Sequence, residues 1–259
     1  APVLSLRDVS LRLDGNAGPV EILNGITLEV SRGQTVGLVG PSGSGKGTIC
    51  ALVAKELGWH LLDSGALYRL LACAAQRDGV GLDDAAALAE LAGRIDGGFT
   101  LAPDGSEVVR LDGADVTDVL RTEATGNAAS RLAALPAVRS ALLAWQRRFR
   151  RMPGLVADGR DMGTVVFPQA RVKIFLTASV DERAQRRYKQ LKDKGISANL
   201  PDLLTEIAER DERDAQRSVS PLKPAADAVV LDTTSLTINE VRDKVLDLCR
   251  EGARMGCQE

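Results

Sequence analysis

Val36-Gly37-Leu38-Val39-Gly40-Pro41-Ser42-Gly43-Ser44-Gly45-Lys46-Gly47-Thr48 is the stretch from which the fold can be read. A short apolar run precedes the glycines, and Ile49-Cys50-Ala51-Leu52-Val53-Ala54-Lys55-Glu56-Leu57 follows with the character of a helix. Strand, glycine-rich loop and helix in that order form a phosphate cradle. Glycine carries no Cβ and accepts positive φ, so the backbone can wrap an anion closely. The N–H groups at the start of the helix add partial positive charge, and Lys46 adds a full one. Gly40, Ser42, Gly43, Ser44, Gly45, Lys46, Gly47 and Thr48 are therefore the first candidate ligand-binding residues.

The usual loop of this kind places Ser or Thr directly after the lysine. Here Gly47 stands there and Thr48 comes next. Gly-Lys-Gly-Thr resembles the loop of nucleoside monophosphate kinases more than that of GTPases or transporter ATPases.

With 259 residues and 44% hydrophobic content, the chain can bury a large core. A net charge of −2 argues against a general nucleic-acid binder. No run approaches the ~20 apolar residues of a membrane span, and no signal peptide opens the sequence. Cys50, Cys73, Cys249 and Cys257 have no metal-ligand spacing and read as reduced thiols of a cytoplasmic protein. The single histidine, His60, sits among Trp59, Leu61 and Leu62 and reads as structural rather than catalytic.

Residues 1–33 read as β structure. Leu4, Leu6, Val9, Leu11 and Leu13 form two alternating patches broken at Arg7-Asp8, and 14–19 reads as a loop. Ile22, Leu23, Ile26, Leu28 and Val30 suggest a second strand pair turning at Asn24-Gly25. With the P-loop appended, residues 1–46 resemble the opening of an ABC-transporter ATPase. The remaining motifs of that family, including its signature sequence and an adenine-stacking aromatic within 1–33, are missing. The segment reads as a β appendage or a fusion.

Further on, Asp63-Ser64-Gly65-Ala66-Leu67-Tyr68-Arg69 offers a hydroxyl, an amphipathic ring and a cation within six residues, at the start of a helix running to about Arg77. Gly154-Leu155-Val156-Ala157-Asp158-Gly159-Arg160-Asp161 is an apolar strand ending in a carboxylate and then a Gly-Arg-Asp loop. Ligands of open α/β sheets sit at such carboxyl ends. Both motifs closely resemble bacterial cytidylate (CMP) kinases, and the chain follows that family from about residue 47 to 250. The resemblance implies a P-loop NTPase fold of class α/β, a parallel sheet flanked by helices. It would carry an N-terminal antiparallel β appendage (1–33) before a kinase domain (34–259), with an acceptor-binding lobe at about 63–152 and a lid at about 181–200.

Between the motifs, 83–92 reads as a helix with an acidic start. Phe99-Thr100-Leu101, Val108–Leu111 and Val116-Thr117 read as short strands around turns at 103–105 and 112–113, and 137–151 as a helix whose Arg147, Arg148, Arg150 and Arg151 form a solvated basic face. Charged helices follow at 181–195 and 203–216, with the polar stretch 188–200 between them as a mobile lid. Ala228–Thr233 reads as a last core strand and Ile238–Arg250 as the closing helix.

The family resemblance implies transfer of a phosphoryl group from ATP to CMP, with dCMP as a second acceptor and Mg²⁺ accompanying ATP. The loop 40–48 would hold ATP, and Asp158 would hold the metal through water. Ser64, Tyr68, Arg69, Ser130, Arg139, Arg160, Asp161, Arg210, Asp214 and Arg217 would bind CMP. Lys46, Arg160, Arg187 and Arg210 would carry the transfer. The implied partners are nucleotides alone, with no nucleic acid and no membrane, acting on a monomer. The sequence departs from the family at Val39, where an aspartate usually precedes Gly-Pro-Ser-Gly. Two other readings stay open: an ABC-type ATPase subunit of a transporter, or an inactive nucleotide-binding chimera.

Overall fold

The computed structural model describes the backbone of residues 2–15, 18–31, 34–101, 107–193, 195, 197–216 and 221–255. A five-stranded sheet forms the centre, in the order β10-β9-β3-β8-β4. Its strands are β3 (Gln34–Val39), β4 (His60–Asp63), β8 (Gly154–Gly159), β9 (Val172–Thr177) and β10 (Val229–Asp232), and every pairing is parallel. Two smaller antiparallel sheets lie outside it, β1 (Pro2–Gly15) with β2 (Gly18–Ser31), and β5 (Gly97–Leu101), β6 (Glu107–Leu111) and β7 (Ala114–Asp115). The α/β class and the parallel sheet expected from the loop are observed.

Parallel strands need crossover connections, and helices supply them. The connecting helices are α1 (Lys46–Leu57), α2 (Ser64–Asp78), α3 (Ala85–Arg94), α4 (Thr117–Leu120), α5 (Glu123–Leu132), α6 (Pro136–Arg148), α7 (Val180–Asp193) and α8 (Leu200–Ala215), and α9 (Ile238–Met255) follows the last strand. The helices cover both faces, which is why β3 and β9 read as continuous apolar runs rather than as alternating ones. One core cluster joins α1, α9 and β3 through Val36, Leu38, Ile49, Val53, Val241 and Val245. A second joins α2, α3, α5 and α6 through Leu67, Leu71, Leu88, Leu132 and Leu142. A small third cluster, Ala184, Leu203 and Ile207, packs α7 on α8.

Four local expectations are corrected. Asn24-Gly25 lies inside β2, so the opening is one long hairpin of two strands; its register shifts between Leu6 and Val9, where the sequence breaks its alternation. Thr117 begins α4 rather than a strand, because its hydroxyl and backbone N–H both satisfy Asp115 in a helix-starting turn. The loop expected at 14–19 is narrower, because β1 runs to Gly15 and β2 starts at Gly18. β10 is an edge strand, with Val229 44% and Val230 58% exposed, because the sheet ends there. The turn expected at 103–105, and Arg217, lie outside the described residues. Within the described residues no helix is long and apolar enough to cross a membrane.

Candidate active site

β3 is the central strand, and the chain continues from it to β4, two places away, leaving room for β8 between them. From β4 the chain returns to β8 beside β3 and then crosses to β9 on the other side of β3, and the crevice at the carboxyl ends of strands where the order reverses in this way is where ligands bind. The loop 40–45 turns out of β3 at this point and enters α1 at Lys46. Gly40 passes so close to β9 that a Cβ there would lie 2.3 Å from the carbonyl oxygen of Leu176. Gly45 caps α1 with φ +84°, a conformation that disfavours any L side chain. The first turn of α1 carries no acidic residue, so its N-terminus is free to favour an external anion. Ser42 is half-exposed, Thr48 and Gly47 are exposed, and the hydroxyl of Ser44 is buried without a hydrogen-bond partner.

Two arginines that the sequence reading did not place hold the outside of this loop. Arg183 is buried and donates from Nε to the carbonyl of Ala178 (3.0 Å), from one terminal nitrogen to the carbonyl of Ser42 (3.0 Å), and through both terminal nitrogens to Asp211. Arg186 reaches the carbonyl of Ser44 (3.4 Å) and both oxygens of Thr233. Their role was hidden in a run of charges on one helix. The signal that separates them is spacing: 183 and 186 are three apart, on one side of α7, and both face the loop.

Asp158, in β8, is level with Leu38 of β3 and Asp63 of β4. It is buried, its Oδ1 has no hydrogen-bond partner, and Lys46 Nζ lies 3.7 Å away. Burial pushes its carboxyl up to about 6; Lys46 opposes the shift and Asp63 adds to it. A buried, unsatisfied carboxylate oxygen beside a phosphate cradle fits an Mg²⁺ site, because Mg²⁺ is commonly held by one or two carboxylates together with substrate phosphates. No group of three or more potential ligands occurs among the described residues.

Four arginines, Arg69, Arg160, Arg187 and Arg210, come within electrostatic reach of one another. Arg210, on α8, is half-buried; burial and the nearby Arg160, Arg69 and Arg187 lower its pKa to about 10, with Asp214 opposing. It therefore stays charged at neutral pH. Arg187, on α7, is likewise lowered by burial and by Arg69, and donates to Gln190 at 3.2 Å. Arg69, on α2, donates to the carbonyls of Leu120 (2.8 Å) and Thr122 (3.2 Å), and its guanidinium lies over Gly126, where a Cβ would be 2.8 Å away. Arg160 donates from Nε to Asp214 at 2.6 Å, and Asp214 is fully buried. Holding several cations together in a half-buried crevice is unfavourable unless an anion joins them.

The residues expected to read a base divide into two groups. Arg139, on α6, donates to the carbonyl of Ala133 (3.0 Å) and pairs with the buried Asp161. Ser130 is half-buried on α5. Ser64 and Tyr68 are both buried on the first turns of α2, and the Ser64 hydroxyl accepts from Gln146 at 3.1 Å. Gln146 is a buried amide that the sequence reading missed, since a lone glutamine among arginines gives no pattern. Two of the arginines expected to bind phosphate, Arg139 and Arg160, are thus paired with the carboxylates expected to read the base. Arg147, expected as part of a solvated basic face, also donates to the carbonyls of Val165 and Val166. His60 is structural as expected, its ring nitrogen 2.8 Å from the carbonyl oxygen of Met152.

Known proteins are similar to this chain over most of its length. The family model for cytidylate kinase matches residues 36–251. The match starts at Val36, eleven residues before residue 47, so most of β3 and the whole P-loop fall inside it. A cytidylate kinase of Aeromonas salmonicida is 62% identical over 207 residues, 80% of this chain and 90% of that one. Cytidylate kinases of Stutzerimonas stutzeri (61% over 208 residues, 80% of this chain and 91% of that one) and Pseudomonas aeruginosa (60% over 216 residues, 82% and 94%) are similar over the same region. A match of this extent, on a chain that carries a P-loop lysine beside a buried aspartate and a cluster of four arginines, means that the chain belongs to the cytidylate kinase family.

Proposed function

We propose that the crevice transfers the terminal phosphoryl group of ATP to CMP, giving ADP and CDP, with dCMP as a second acceptor. The observation that carries this reading is the meeting of Arg69, Arg160, Arg187 and Arg210 in a chain of the cytidylate kinase family. Phosphoryl transfer needs in-line positioning and compensation of charge more than covalent help. The acceptor oxygen of CMP is already anionic, so no general base is required, in keeping with a structural His60.

In this reading the loop from Gly40 to Thr48 cradles the ATP phosphates and Lys46 follows the charge of the moving group. Mg²⁺, held through water by Asp158 and directly by the nucleotide, would neutralise charge on the outer phosphates. Arg69, Arg139, Arg160 and Arg217 receive the phosphate of CMP, while Arg187 and Arg210 face the transferred group. Ser64, Tyr68, Ser130, Asp161 and Asp214 shape and read the nucleoside. A pocket of polar edges rejects a base that leaves them unpaired, which would separate cytosine from purines. Release of Asp161 from Arg139 and of Asp214 from Arg160 would free both members of each pair for CMP. Residues 181–200 form the lid, 63–152 the acceptor lobe, and 34–259 the kinase domain. The enzyme acts as a cytoplasmic monomer.

The opening hairpin, within residues 1–33, is proposed as a β appendage to the kinase domain; its likeness to the start of an ABC ATPase rests on its sequence alone, since the family match takes in residues 36–46. Coupled-assay kinetics with CMP, dCMP, UMP and AMP test the function. Preference for CMP and dCMP by at least tenfold in kcat/KM is expected, and equal turnover of AMP would overturn the cytidylate assignment.

A further inference from the structure

Lys173 is a charged residue in the middle of the buried strand β9, with a side chain only 9% exposed. Its ammonium has two partners. It donates to the carbonyl of Pro168 at 2.6 Å and to both oxygens of Asp227 at 3.0 and 2.7 Å. Its methylene stem also supports the backbone of Gly163, where a Cβ would lie 3.0 Å from Lys173 Cδ. A lysine in a parallel core strand is costly to desolvate unless it is paired, and nothing in the transfer chemistry uses it.

The two partners belong to different acceptor-side segments. Pro168 ends the turn that begins at Asp161, whose carbonyl accepts the N–H groups of Val165 and Val166 through the π-helical turn Met162–Val166. Arg160 and Asp161 stand at the head of that turn. Asp227 belongs to the loop 221–228 that returns from α8 to β10, and Leu222 of that loop donates its N–H to the carbonyl of Asp214 at 2.9 Å. Arg160 and Asp214 then meet directly. Turn, lysine, loop and ion pair make a closed ring with Lys173 on the side away from the crevice.

We propose that Lys173 and Asp227 are positioning residues for the acceptor. By tying the turn 161–168 to the loop 221–228, they set where Arg160, Asp161 and Asp214 stand when CMP binds. The proposal rests on the assignment of those three residues to the acceptor side. The donor loop is held by another set of contacts, through Arg183 and Arg186, so the two sides should respond separately. Hydrogen bonding to Lys173 holds the Asp227 carboxyl below the usual carboxylate range, as an intact pair requires.

The test is steady-state kinetics of the full chain carrying Lys173→Met, Asp227→Asn and both. Each single change is expected to raise KM for CMP on the order of tenfold, with KM for ATP and kcat within about twofold of the parent. The double variant is expected to be no worse than the worse single one, since the two act through one link. Equal effects on both substrates, or a loss of melting temperature with KM for CMP unchanged, would overturn the proposal. Asp227 is 64% exposed at its side chain, so Asp227→Asn decides the matter should the lysine variant fail to fold. Failure of the parent chain to turn over CMP would instead sink the acceptor assignment, and the proposal with it.

Discussion

The ammonium of Lys46 stands 3.7 Å from Asp158 Oδ1, an ion pair at the edge of contact that leaves the buried oxygen without a hydrogen bond. The pair is poorly satisfied in the protein alone. A buried charge left in that state costs stability that a ligand can return.

Asp158 therefore makes the ligand-free protein less stable in its ionised form. Its carboxyl titrates at about 6 when folded, against 3.8 when exposed. Below pH ~4 both states hold the proton and the group contributes nothing. Between pH ~4 and ~6 the unfolded chain ionises first, and stability falls; above ~6 the loss is constant, on the order of 3 kcal/mol. Asp158→Asn is thus expected to be more stable than the parent at pH 7, with the gap closing toward pH 4. Denaturant melts without nucleotide or Mg²⁺ across that range check it, and parallel pH curves would refute it. The same variant should lose most of its turnover.

Arg210 sits among three other arginines, so its removal should relieve repulsion while damaging catalysis. For Arg210→Met we expect a higher melting temperature without ligand and a fall in kcat of roughly 10³-fold, of the size seen when a charge-stabilising arginine is lost. Thermal melts and single-turnover rates on the same preparation measure both. A variant that is both less stable and fully active would contradict the assignment.

Arg183 serves three partners with one planar group. Arg183→Lys keeps the charge but cannot reach Ala178, Ser42 and Asp211 together. KM for ATP should rise about tenfold, while KM for CMP changes less. Equal sensitivity of both substrates would show that Arg183 supports the whole domain and not the loop.

Val39, where the family resemblance implies an aspartate, is buried at the end of β3. Val39→Asp introduces a carboxylate among apolar neighbours and should destabilise the ligand-free protein by about 1–3 kcal/mol. Mg²⁺ with ATP should recover part of that loss if the new carboxylate faces the nucleotide. Melts with and without Mg²⁺–ATP, alongside turnover, distinguish the two effects; an unchanged rate means that the position is unimportant in this chain.

The sequence made the phosphate cradle legible because glycine spacing, lysine and the flanking strand and helix are all local. Asp158 and Arg160 were legible for a similar reason, as the end of an apolar run. Local patterns could not show that Arg139 pairs with Asp161, or Arg160 with Asp214, 54 positions on. Those pairings depend on packing between elements distant in the chain. Val229 and Val230 read as core because β-branched residues favour strands wherever they lie; only strand order shows that they border solvent. Lys173 was invisible as a functional candidate because a single charge in an apolar strand carries no periodic signal.

All five strands of the sheet point the same way, and this gives the molecule a front and a back. The opening hairpin joins at Gln34, the rear end of β3, while the nucleotide loop leaves from Val39, five residues ahead and roughly 16 Å away along the strand. A segment exchanged, lengthened or fused at the rear meets none of the front-side loops through its attachment point. The polarity of β3 therefore keeps the hairpin's point of attachment at the far end of the strand from the phosphate cradle.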